Sequence, residues 1–152
     1  MAEFSLPTKG TVLQACAGSV VGLHPILPLV RELASSHEER LVAGSSRVVE
    51  IDCLRVKLVD KIDCWVSANA PDAVSAAFLH TETVGMVVDR LARLYVEARV
   101  ALDEGRAESF RHRAWHRMSE LASAYDDLRF EISAGRRRLP TVAHLSVGDS
   151  GR

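Results

Sequence analysis

The sequence predicts an all-α protein, an up-down helical bundle of four main helices with a short N-terminal helix and a disordered C-terminal tail. Three observations predict it. Apolar residues recur at steps of three and four through four segments, the period of a single buried helix face. Clusters of Gly, Pro and Ser punctuate those segments and leave mostly short links. Only 5% of the 152 residues are aromatic, and β-branched runs bounded by turns are scarce, which disfavours a sheet.

Residues 1–10 read as an arm punctuated by Pro7 and Gly10. Thr11 can cap a short helix through Cys16 that ends near Gly18, with Val12, Leu13 and Cys16 as its apolar side. Pro25 and Pro28 suit a first helical turn, where a missing N–H costs least. From there Ile26, Leu29, Leu33, His37 and Leu41 keep helical spacing, so a helix is expected to about residue 42. Ala43-Gly44-Ser45-Ser46 breaks it, supplying a C-cap glycine and an N-cap serine. The next helix is expected to reach about Ser67, with Val48, Ile51, Leu54, Leu58, Ile62, Trp65 and Val66 on one arc. Ala68-Asn69-Ala70-Pro71-Asp72 ends it, and residues 72–80 read as a loop or one helical turn. Thr83 is the expected N-cap of a helix striped by Val84, Val87, Val88, Leu91, Leu94, Tyr95, Ala98 and Leu102 and stopped by Gly105. The last helix begins near Ser109. It carries Phe110, Ala114, Met118, Leu121, Tyr125, Leu128 and Ile132, with Gly135 as C-cap before Arg136-Arg137-Arg138-Leu139-Pro140. Residues 1–140 are thus expected to form a single bundle domain, and the small, polar residues 141–152 the tail.

A chain of this size is long enough to bury a core, and 47% hydrophobic with 26% charged residues is a globular composition. A formal net charge of −1 offers no overall field for a polyanion or an acidic membrane. Three cysteines (Cys16, Cys53 and Cys64) with no Cys-x-x-Cys pair read as reduced thiols of a cytoplasmic protein. Met1-Ala2-Glu3-Phe4 lacks the basic-then-apolar start of a signal peptide. No apolar stretch approaches the roughly 18 residues of a membrane span.

Two polar residues stand where the pattern calls for apolar ones. His37 falls between Leu33 and Leu41, and Arg55 between Ile51, Leu58 and Ile62. A charge at such a position must be paired, since an isolated buried charge is too costly to keep. Asp52 is one turn back from Arg55, and Glu82 and Asp89 are available from the following helix. These five residues form either a closed polar network that fixes helix register or a pocket for a small anionic ligand, with Arg55 as the fork for a carboxylate or phosphate. Convergence on a solvent-reaching cleft favours the second.

Other chemistries find less support. His37-Glu38-Glu39 lacks the Glu-x-x-His of di-iron bundles, and there is no His-Glu-x-x-His, so no metal and no cofactor are expected. Glu50-Ile51-Asp52 has the wrong spacing for the magnesium site of helical nucleotide pyrophosphohydrolases. The converging cations of a helical chorismate mutase cannot be placed. Cys53 and Cys64 lie three turns apart, opposite the core stripe, with no histidine beside them in sequence. Arg111-His112-Arg113, His116 and Arg117 surround Trp115, and Arg136-Arg137-Arg138 closes the same helix. The acidic stretch from Glu120 to Glu131 separates those clusters, so nucleic acid is not expected, and arginines in a last turn also complement the helix dipole.

Thr81-Glu82-Thr83-Val84-Gly85, followed by Asp89-Arg90-Leu91, resembles the Thr-Glu-Thr-Pro-Gly…Asp-Arg-Leu signature of a small all-helical bacterial family of unknown function. The resemblance runs from about His37 to Pro140. Asp52 to Arg55 matches the family's Asn-x-x-Arg with Asp in place of Asn. His37-Glu38-Glu39 matches a Trp-His-x-Glu-Asp element, with Ser36 and Arg40 at its ends. Val84 replaces the proline, and Arg99-Val100 stands where many members carry Tyr-His. The resemblance implies the helical fold and candidate positions, but no activity. On the residues themselves the first expectation is a non-enzymatic domain working through protein contact as a homo-oligomer, with Val56, Met86, Val96, Val100 and Phe130 as its apolar surface. The alternative is an enzyme or sensor holding a small anion between helices at His37, Asp52, Arg55, Glu82 and Asp89.

Overall fold

Helices α1 (Lys9–Cys16), α2 (Leu27–Arg40), α3 (Ser45–Asn69), α4 (Val84–Asp103) and α5 (Glu108–Ser133) make up most of the chain. The computed structural model describes residues 3–19 and 22–141, so the expected tail lies outside the described residues except for Thr141. Two short strands, β1 (Phe78–Leu79) and β2 (Arg137–Arg138), pair in parallel, Phe78 with Arg137 and Leu79 with Arg138.

The centre of the fold is α4, which packs against α2, α3 and α5 and also meets α1. Its sequence explains this role. Val84, Val87, Val88, Leu91, Ala92, Leu94, Val96, Ala98 and Ala101 are all buried, a band wider than one helix face. Val30 and Leu33 of α2, Leu58 and Ile62 of α3, and Met118, Tyr125 and Ile132 of α5 close around it.

The N-terminal end of α4 is fixed by two caps. The Thr83 hydroxyl accepts from the Met86 amide at 3.2 Å, and the buried Asp63 of α3 accepts from the Gly85 amide at 2.7 Å. Gly85 is required by the close approach. A Cβ there would stand 2.6 Å from the Val59 carbonyl oxygen and 2.7 Å from Asp63 Oδ1. Thr83 and Gly85 of the family-like signature therefore anchor one helix on another.

Several expectations need correction. Thr8 rather than Thr11 caps α1, accepting from the Thr11 amide at 3.2 Å. The N-terminal arm is docked: Leu6 and Pro7 are buried, and the Tyr125 hydroxyl donates to the Pro7 carbonyl at 2.8 Å. Helix α2 stops at Arg40, which leaves Leu41 exposed. In α3 the buried arc turns away from Leu54, which is exposed, and takes in Asp63. Val96 is buried and Val100 is partly covered by the core, so neither belongs to an open apolar surface. Helix α5 ends at Ser133, and Gly135 at φ +68 reverses the chain. Arg137 and Arg138 then enter β2 instead of closing the helix, and residues 72–80 deliver its partner β1.

Candidate functional site

The short link 41–44 sets the last turn of α2 beside the first half of α3. Arg47 of α3 ties back to Glu39 at 2.7 Å. This arrangement brings His37 and Arg40 from α2, Asp52 and Arg55 from α3, and Asp89 from the second turn of α4 to one place.

Asp89 is the acceptor at its centre. His37 Nε2 lies 2.8 Å from Asp89 Oδ1, Arg55 Nε donates to the same oxygen at 3.1 Å, and Arg55 Nη2 donates to Oδ2 at 2.6 Å. Arg55 thus grips Asp89 with two parallel bonds, the strongest geometry open to this pair. Its remaining arm, Nη1, donates to Asp52 Oδ1 at 2.9 Å. Arg40 holds Asp52 from the other side, with Nε to Oδ1 at 2.9 Å and Nη2 to Oδ2 at 3.3 Å.

Burial graded across the cluster sets its electrostatics. The His37 side chain is 5% exposed, Asp89 16% and Arg55 22%. Burial opposes ionisation of Asp89, but the hydrogen bonds from His37 and Arg55 outweigh it and hold its carboxyl below the ordinary value. The bond to Asp89 raises Arg55 above its ordinary value against the cost of burial. Arg40, with Arg55 adding to it, keeps Asp52 low. A carboxylate only accepts, so His37 carries its proton on Nε2. Both oxygens of Asp89 are committed. It orients cations and is poorly placed to take a proton from a ligand.

Of the five residues the sequence singled out, His37, Asp52, Arg55 and Asp89 meet in this network. Glu82 does not: its carboxylate pairs with Arg90 at 2.9 Å, outside the group. Three other arginines, Arg40, Arg90 and Arg93, were not taken as site residues from the sequence. Helical spacing carries the signal for two of them, since Arg40 is three residues after His37 and Arg93 four after Asp89. Asp63 was also missed, because the expected arc of its helix left it outside.

The network is not closed over. A cleft of about 480 Å³ opens on it between α2 and α4, and its lining holds four guanidiniums, of Arg40, Arg55, Arg90 and Arg93, against the carboxylates of Asp89 and Glu97. A second cleft of about 610 Å³ lies on the other side of the Arg55–Asp89 pair, between α3 and α4, and is acidic, with Asp52, Asp60, Asp63, Glu82 and Asp89 at its walls. Burial raises Asp63 above its ordinary value, although the Thr83 hydroxyl and Gly85 amide work to lower it. One ion pair therefore divides a cationic cleft from an acidic one. None of the three cysteines is in a disulfide. Among the described residues no helix is long and apolar enough to cross a membrane.

The comparisons with curated proteins and with solved structures return no significant match. A family profile described as a protein of unknown function, DUF4254, matches residues 31–141, from within α2 through α5, and takes in every residue of the network. The chain belongs to the DUF4254 family.

Proposed function

We propose that the chain is a binding module for a small anion, received in the cleft between α2 and α4. The observation that carries this reading is the charge of the lining, four guanidiniums against two carboxylates around a space of about 480 Å³, within the range of small-molecule sites. The network beneath supports it physically. Asp89 takes the Nε and Nη2 edge of Arg55 and Asp52 takes Nη1, so Arg55 is an ordered charge beneath the cleft, and an anion draws its hydrogen bonds from the arginines around it. Arg93, by contrast, has only a 4.0 Å pair with Glu97 and is 47% exposed, which leaves its guanidinium available.

Thermal-shift measurements with inorganic phosphate, pyrophosphate and citrate test the reading on the whole protein. A ligand that binds only the folded state adds about 2.7 kcal/mol at a hundredfold over its dissociation constant. At least one of these anions is expected to raise the melting temperature of wild type and to do so much less for Arg93→Gln. If none raises it, the proposal fails.

A second reading, contact with another copy of the chain, draws on Val56 and Met86. Both are exposed and share the acidic cleft between α3 and α4. Phe130 is exposed as well, on α5. Light scattering showing a strict monomer at tens of micromolar removes this reading. With either, we take residues 1–140 as one domain whose four long helices alternate up and down, working in the reducing cytoplasm that suits three thiols outside any disulfide.

A further inference from the structure

The cationic cleft continues beyond Glu97. A second cavity of about 350 Å³ follows along α4 and α5 and shares Leu41 and Glu97 with the first. From Asp89 to Ala101 the α4 residues lining the two cover roughly 18 Å at 1.5 Å per residue.

The halves differ in chemistry. The first is rimmed by arginine around the buried polar network; the second has an apolar floor of Val100, Ala101, Phe110 and Ala114, with Glu104, Arg106, Arg113 and Arg117 around it. Leu41, at the junction, and Phe110 are both large apolar side chains left exposed. Arg106 lies over the Phe110 ring, 4.2 Å from its centroid, and closes the far end. At the junction Glu97 sits between Arg93 at 4.0 Å and Arg117 at 3.7 Å, both long for charge-assisted bonds. An incoming anion can therefore recruit either guanidinium without breaking a tight pair. A groove with a cationic end and an end floored by apolar side chains is complementary to a ligand with a charged head and an apolar body.

Resting on the anion reading above, we infer that the ligand is an organic phosphate monoester whose head sits among Arg40, Arg90 and Arg93 and whose alkyl or aryl body lies along α4 against Val100, Ala101 and Phe110. Several guanidiniums lining one cleft suit a tetrahedral oxyanion with more acceptor oxygens than a carboxylate offers. The apolar floor selects the body by burial.

Calorimetric titration of the whole protein with inorganic phosphate, butyl phosphate and octyl phosphate tests the inference, with octyl glucoside as an uncharged control carrying the same tail. Each methylene fully buried strengthens binding about fourfold, the equivalent of ~0.8 kcal/mol, so across an open groove octyl phosphate is expected to bind at least about tenfold tighter than butyl phosphate. Octyl glucoside is expected to bind far more weakly. Phe110→Ser, at an exposed position, flattens the dependence on chain length and leaves inorganic phosphate unchanged. Arg93→Gln, also exposed, weakens all three phosphates together. If phosphate binds and chain length adds nothing, the inference is overturned and the anion reading stands. If octyl glucoside matches octyl phosphate, the charged head plays no part and the inference is overturned. If no phosphate binds, both fall.

Discussion

Replacing Asp89 by alanine removes the acceptor on which three hydrogen bonds end, at 2.8, 3.1 and 2.6 Å. Breaking a fully buried ion pair costs about 3–5 kcal/mol. Here the cost is smaller, because Arg55 is 22% exposed and keeps its bond to Asp52, so roughly 2 kcal/mol is assigned to the pair. His37, 5% exposed, is left with a donor and no acceptor, which adds about 1 kcal/mol. The total, about 3 kcal/mol, is a large share of a typical domain's stability. With a urea slope near 2 kcal/mol/M, the unfolding midpoint is expected to fall by about 1.5 M. Asp89→Asn keeps an oxygen for His37 and is expected to cost about half as much. In a double-mutant cycle with Arg55→Leu, the pair should show a coupling of about 1–2 kcal/mol. A midpoint shift below about 0.3 M, or additivity within about 0.5 kcal/mol, would refute the reasoning.

Arg55→Ala should destabilise more than Arg55→Leu, since leucine refills the space beside Ile51 and Leu58; equal urea midpoints would contradict this. Gly85→Ala drives a methyl against the Val59 carbonyl and Asp63, and is expected to cost about 2–3 kcal/mol by thermal unfolding, where a neutral result would mean the α3–α4 junction is looser than described. Asp63→Asn keeps an acceptor for the Gly85 amide and avoids the charge that burial opposes. A raised carboxyl loses its stabilising contribution as pH rises through its folded value, so the variant should be at least as stable as wild type at pH 7.5 and lose that advantage near pH 4; clear destabilisation at pH 7.5 would contradict it. Burial lowers His24 below 6.5 while its ring contacts Trp65 and the Ser5 carbonyl. Its contribution is complete above pH 6.5 and lost as pH falls through the lower folded value, so melting temperatures between pH 7.5 and 5 should drop further for wild type than for His24→Gln.

The helices were legible because burial imposes a period. Thr83 and Gly105 bound α4 as read, and Met118, Tyr125, Leu128 and Ile132 of the expected stripe are buried on α5, whereas Leu121 is only partly buried and Phe110, where the stripe was expected to begin, is exposed. Polar residues interrupting a stripe were equally legible, which is how His37 and Arg55 came to attention. The rest depended on tertiary geometry. Asp63 is buried because α4 begins against it, and no local pattern encodes that approach except the glycine at 85, whose reason appears only with the Val59 carbonyl beside it. Glu82 looked like a partner for Arg55, but it precedes the cap of α4 and reaches Arg90 along that helix. The strands were hidden because two-residue elements have no period, and Gly135 redirects arginines that composition assigns to a helix end. Arg40, Arg90 and Arg93 resemble ordinary surface arginines until α2 and α4 face each other across the cleft.

The most direct test of the anion-binding account follows the guanidinium Nε–H signals of the arginines by nuclear magnetic resonance during titration with inorganic phosphate. The account predicts saturable shifts of Arg90 and Arg93, an accompanying change at the His37 ring through Asp89, and silence at Arg136, Arg137 and Arg138. Shifts confined to those last three, or no saturable shift at Arg90 and Arg93, would contradict it.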